Sequence, residues 1–239
     1  MTRDPSETTP HHWWTPVGRL SVFGLAFSSI ASLLCEFYQV CPMRTFALYV
    51  FLPALVGLAV LATADRLKGD RLLWQAVIIG LLGGLIAAMA YDLFRLPFVF
   101  AQQWGIASLI PPMQLFKAFP RFGAMILGQP TEQPSYSPAA HFLGGAYHFS
   151  NGCTFGVMYV ALVGNSMRRH WAWAVAMAVG LELGMLLTPY PQTFGIQITP
   201  LFVGVTLVAH LIFGVSLGLS TRWLTRLIQP ERKIPLATG

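Results

Sequence analysis

His148, Glu182 and His210 are the residues of this sequence from which chemistry is most readily built. Each stands in a long apolar run, where an ionisable side chain is costly to keep and usually functional. At about 1.5 Å per residue, Glu182 falls about 17 Å from the inner start of its run. On the same scale His148 and His210 fall about 14 and about 16 Å from the outer starts of theirs. In a hydrocarbon core about 30 Å thick all three reach the middle, with Asn151 just below His148. Two imidazoles and a carboxylate at one depth form a His2Glu set that suits zinc or non-haem iron. Alternatively, His148 and His210 are the axial ligands of a b-type haem, with nearby glycines giving the porphyrin a smooth wall. No HExxH or paired ExxH motif accompanies them. Asp92 or Glu36 would have to lie deeper to add ligands.

A second polar group, Glu36, Tyr91, Asp92, Arg95 and His141, gathers at the outer mouth, so the polarity is one-sided and opens outward. Asp92 and Arg95, three apart, are neighbours if the helix continues that far. Buried histidine and glutamate can also relay protons, which suits a proton-linked carrier or small-solute pore gated by Asp92 and Arg95. The same polar groups equally suit bonds between helices in a homo-oligomer or in an accessory subunit of a larger membrane complex. Tyr91, Asp92 and His141 offer acid–base groups for a lipid or quinone enzyme, yet no GxSxG nucleophile is present and no residue is assigned as catalytic. Cys35 and Cys41 flank an outer turn and are candidates for a disulfide.

The elements that position these residues carry small residues four apart. Gly24-Ser28-Ser32 leads to Glu36, Gly80-Gly84-Ala88 to Asp92, and Ala174-Ala178 to Glu182. His148-Gly152-Gly156 and His210-Gly214-Gly218 form a second type of ladder. Such ladders let helix backbones approach closely in lipid, and an ionisable residue continuing the line points inward. The recurrence hints at an old duplication. Short connections favour sequential neighbours, so the sequence predicts convergence of His148, Glu182 and His210.

The chain as a whole belongs in a membrane. Its 239 residues are 55% hydrophobic and only 10% charged, with mean hydropathy +0.59, whereas soluble domains carry about 25% charge. A soluble enzyme, a coiled coil and a nucleic-acid-binding module are excluded, because the +6 charge sits in short clusters between apolar spans. Six runs are long enough to cross as helices: Leu20–Val40, Thr45–Ala64, Leu72–Tyr91, Ala139–Val163, Trp171–Thr188 and Thr199–Ser220. The expected fold is an all-α integral membrane six-helix bundle in the bilayer of a cell inner membrane. The first run follows a polar tail, residues 1–19, and has no A-x-A-type cleavage site, so it reads as a retained helix.

With the N-terminus inside, Arg3, Arg19, Arg66, Lys68, Arg71, Arg168, Arg169, Arg222, Arg226, Arg232 and Lys233 are internal. Arg44, Arg95, Lys117 and Arg121 are external, and eleven against four places both termini in the cytoplasm. Six of the seven tryptophans fall near the inner interface. The organisation is then spans one to three over 20–91, an outer Pro-rich apolar loop or lid over 92–138, spans four to six over 139–220, and a basic tail over 221–239. Pro53 is expected to kink the second span.

Three stretches carry a resemblance: Tyr91-Asp92-Leu93-Phe94-Arg95-Leu96-Pro97-Phe98, His148-Phe149-Ser150-Asn151-Gly152-Cys153-Thr154-Phe155-Gly156, and Ala209-His210-Leu211-Ile212-Phe213-Gly214. Together they resemble a poorly characterised group of bacterial multi-pass membrane proteins. The resemblance covers spans three to six and implies no particular activity.

Overall fold

The computed structural model describes residues 12–229, and every element in that range is a helix. In order these are α1 (Pro16–Phe37), α2 (Met43–Lys68), α3 (Leu72–Val99), α4 (Ala118–Leu127), α5 (Pro138–Val163), α6 (Ala172–Leu187), α7 (Tyr190–Thr193) and α8 (Pro200–Ile228). Three of them start by one local rule. Thr15, Ser137 and Thr199 each accept a backbone N–H from the first turn, and each is followed by proline. The hydroxyl satisfies an otherwise orphaned donor, and proline sits where no N–H is needed. In α2 the expected disturbance at Pro53 appears one turn earlier, as a π-helical turn over Ala47–Phe51. The wider turn relieves the clash between the proline ring and the preceding carbonyls.

Four helices, α1, α2, α3 and α8, are long and apolar enough to cross a membrane. The other two expected spans differ from the sequence reading in opposite ways. α5 has 26 residues, but its glycines and polar side chains dilute its hydropathy. α6 is apolar with 16 residues, so it extends only about 24 Å. The third span is longer than expected, because α3 runs past Pro97 to Val99. Asp92 and Arg95 therefore belong to a helix, not to the following loop.

The packing order is not the chain order. α3 is the central helix, wedged between α5 and α8, which barely touch one another. α6 packs on α8 alone among the long helices, while α1 packs on α5 and α2 lies against α1 and α3. The small-residue ladders decide this arrangement. A Cβ added to Gly80 would fall 2.6 Å from Val157 Cα, and one on Gly152 would fall 2.6 Å from Ala88 Cβ. Across the second seam, a Cβ on Gly214 would fall 2.6 Å from Val175 Cα. The α3·α5 and α6·α8 pairs are thus antiparallel seams in which an acid-ended ladder meets a histidine-ended one.

One end of the bundle gathers the basic and tryptophan-bearing connections. Arg19 donates to the last carbonyls of α5, Ala161 at 2.8 Å and Leu162 at 2.5 Å. Trp14 donates to Gly164 O at 3.3 Å, and the hydroxyls of Ser166 and Thr225 meet at 2.7 Å. Gly164 has φ +74°, and a Cβ there would fall 2.7 Å from the Arg19 guanidinium. Arg66 lies over the Trp74 ring at 4.8 Å. Arg3, Arg232 and Lys233, counted for the orientation, lie outside the described residues.

At the opposite end the long connection folds back. α4 packs along the first turns of α5, where added Cβ atoms on Gly123 and Gly144 would strike the backbone of Ala140 and Phe119. Its buried Arg121 bonds the Phe194 carbonyl beyond α7 and donates to Tyr136 Oη at 3.3 Å. Trp104 and Leu109, before this packed helix, stay exposed.

Candidate functional site

The ladder seams end in two histidine–carboxylate dyads. On the α3·α5 seam, His148 Nε2 lies 3.0 Å from Asp92 Oδ2 and 3.2 Å from Oδ1. Asp92 also forms an ion pair with Arg95, as the three-residue spacing predicts. On the α6·α8 seam, His210 Nδ1 lies 2.9 Å from Glu182 Oε2, and Thr206 donates to Glu182 Oε1 at 2.5 Å. Glu182 and His210 are only 1% and 4% exposed, so this dyad is held away from both lipid and water. Thr206, one helical turn from His210, was absent from the sequence reading, although its i, i+4 spacing on α8 was available as a signal.

The partners fix the proton on each ring. The Thr206 carbonyl, 2.9 Å from His210 Nδ1, can only accept, so Nδ1 carries the hydrogen. Although the Glu182 Oε2 contact is poorly aligned for a hydrogen bond and leaves that atom unpartnered, its 2.9 Å separation still sets carboxylate beside imidazole. Asp92, already matched by Arg95, accepts from His148 Nε2–H. In neutral rings, His210 Nε2 and His148 Nδ1 are then lone-pair acceptors. Neither has a hydrogen-bond partner among the described residues.

Both rings line one cavity of about 420 Å³ at the end of the bundle away from Trp14 and Arg19. Tyr91 of α3 links them, its ring centroid 5.0 Å from His210 and 6.2 Å from His148. Phe119 of α4 stacks on His148 at 4.3 Å, so α4 shapes the roof. Arg95 lies over Tyr91 at 4.1 Å and over Phe116 at 4.9 Å, which holds the guanidinium against the wall. Asn151 also lines the cavity, and its buried Oδ1 is unpartnered. At the rim, burial pushes the Tyr190 phenol above its ordinary pKa, which keeps it a neutral hydroxyl. The remaining lining is mostly apolar and aromatic.

Several expected groupings do not form. His148, Glu182 and His210 do not make one coordination sphere, because α3 separates α5 from α8 and divides the residues between two dyads. Among the described residues no group of three or more His, Cys, Asp or Glu side chains is placed to hold a metal ion. For the haem reading, Tyr91 lies against both imidazoles, and the engagement of His148 Nε2 and His210 Nδ1 leaves His148 Nδ1 and His210 Nε2 as the free nitrogens. Glu36 bonds the Met43 amide at the start of α2. His141 is exposed, edge-on to Tyr136 at 6.2 Å and outside the cavity lining. Cys35 and Cys41 are free thiols, and their turn is closed by a backbone bond from Cys41 N to Cys35 O at 3.3 Å.

Comparisons with protein-family models, curated proteins and solved structures find no match to this chain.

Proposed function

We propose that this chain is a six-span membrane protein, with both termini cytoplasmic, that binds a lipid-soluble molecule bearing hydroxyl donors in an outward-facing cavity. The two dyads accept hydrogen bonds, and protons, from that molecule. One observation carries the reading: each dyad leaves one imidazole nitrogen without a partner, and both rings line the same apolar cavity. Asn151 stands on the same wall, and its buried Oδ1 is unpartnered. An apolar pocket with a few convergent polar groups is the usual form of a small-molecule site. A carboxylate behind each imidazole orients the ring and stabilises it once it takes a proton.

The topology rests on the eleven-to-four distribution of basic residues and on the clustering of Arg19, Arg66 and the tryptophans at one end. α5 serves as a span because its polar residues face neighbouring helices, and α6 because α7 and the outer turn extend its reach. The experiment compares an alkylphenol with its methyl ether, which keeps the shape and loses the donor. Calorimetry on purified protein is expected to give phenol binding at least about tenfold tighter, about 1.4 kcal/mol, with the difference lost in the His148→Leu/His210→Leu double variant. Equal binding of phenol and ether would refute the reading.

A further inference from the structure

The cavity has features that narrow its occupant further. Its acceptors come from two sides, His148 from α5 and His210 from α8, with α3 between them. A monohydroxylated lipid leaves one side unmatched, whereas a ring with hydroxyls at opposite ends matches both. The wall is aromatic, with Tyr91 and Phe213 edge-on at 6.3 Å and Phe155 and Phe213 edge-on at 6.2 Å, so it offers ring contacts to an aromatic occupant. An anionic headgroup is disfavoured, because among the described residues the only cationic side chain in the lining, Arg95, is already matched by Asp92.

The cavity is also open sideways. α1 and α6 both contribute to its wall, yet they do not pack on each other. On the α6 rim stand Gly180 and Gly184, which line the cavity while remaining exposed, and a Cβ added to either would meet nothing within 4 Å. The facing rim on α1 includes Phe27 and Leu34. These glycines are not needed for helix packing, unlike those of the two seams. They leave a smooth slot between the cavity and the hydrocarbon.

We propose that the occupant is a tailed para-hydroquinone, its ring held between the two dyads and its isoprenoid tail leaving through the α1/α6 slot. The assignment rests on the hydroxyl-binding reading above and adds the second hydroxyl and the tail. Three probes separate these elements: trimethylphenol, trimethylhydroquinone and geranylated trimethylhydroquinone, titrated into the purified full chain in one detergent under reducing conditions. Hydroquinone is expected to bind about tenfold tighter than phenol, one added hydrogen bond at the upper end of its usual worth. The geranyl group is expected to add about another tenfold. Gly180→Leu and Gly184→Leu fill the slot, so they are expected to abolish the gain that the tail adds over tail-less hydroquinone measured in the same variant. Gly184→Ala, a smaller intrusion in open space, gives an intermediate loss and guards against misfolding of the leucine variants. A tail gain that survives both leucine substitutions, or a phenol that binds as well as hydroquinone, overturns the proposal while the hydroxyl-binding reading stands. Failure of all three probes to bind overturns both.

Discussion

Alanine at Gly214 directly perturbs the seam that holds the second dyad. Its Cβ would lie 2.6 Å from Val175 Cα and 3.0 Å from Ala174 O, whereas carbon atoms rest at about 3.5–4.0 Å. The obstacles are backbone atoms, so α6 must retreat from α8 by about 1 Å or more to restore contact distance. Overpacking of this kind costs about 1–3 kcal/mol. The same retreat acts on the His210–Glu182 contact, now 2.9 Å, and would pull carboxylate and imidazole apart. Gly204 is the control on the same helix, because a Cβ there meets nothing within 4 Å. Removing its backbone freedom is neutral or gains about 0.5–1 kcal/mol. Thermal unfolding in detergent, with a chemical denaturant series for the free energies, should therefore separate Gly214→Ala from Gly204→Ala by about 1–4 kcal/mol. Equal midpoints for the two variants would refute the seam as the element that holds the second dyad.

Three further outcomes are expected. Asp92→Ala strips the buried Arg95 of its partner and should lower stability by about 3–5 kcal/mol, whereas Arg95→Met should cost less because Asp92 keeps His148; unfolding midpoints rank the two variants. Arg19→Met removes two charge-assisted bonds to the end of α5 and should cost about 1.5–3 kcal/mol per bond at most, read by the same unfolding assay. Reporter fusions after Ser166 should read cytoplasmic and fusions near Gln133 external, and the reverse would invert the proposed orientation.

What the sequence disclosed and what it hid have separate physical causes. Hydropathy depends on local composition, so the all-helical character and the apolar runs are legible without any contact. The ladders were legible too: of the five residues that end them, Asp92, His148, Glu182 and His210 meet in pairs, while Glu36 bonds the Met43 amide. Partner choice was not legible, because it depends on packing order. Short connections suggested that the runs bearing His148 and Glu182 were neighbours, but α3 provides the closer glycine surface for α5. Asp92 was placed outside the span because the apolar run ends at Tyr91. Proline in the last turn leaves most of the preceding bonds intact, so α3 continues to Val99. The cavity itself is a property of gaps between helices, and Gly180 and Gly184 could not be told from seam glycines by spacing alone.

The central claim is that each dyad turns a lone-pair nitrogen toward the cavity. Nitrogen NMR of protein labelled at histidine, with His148→Gln and His210→Gln assigning the signals, measures it directly. His210 is expected as the Nδ1–H tautomer and His148 as the Nε2–H tautomer, with the remaining nitrogens unprotonated and shifting when an alkylphenol is added. A hydrogen on His210 Nε2 or His148 Nδ1 in the free protein, unmoved by the phenol, would contradict the account.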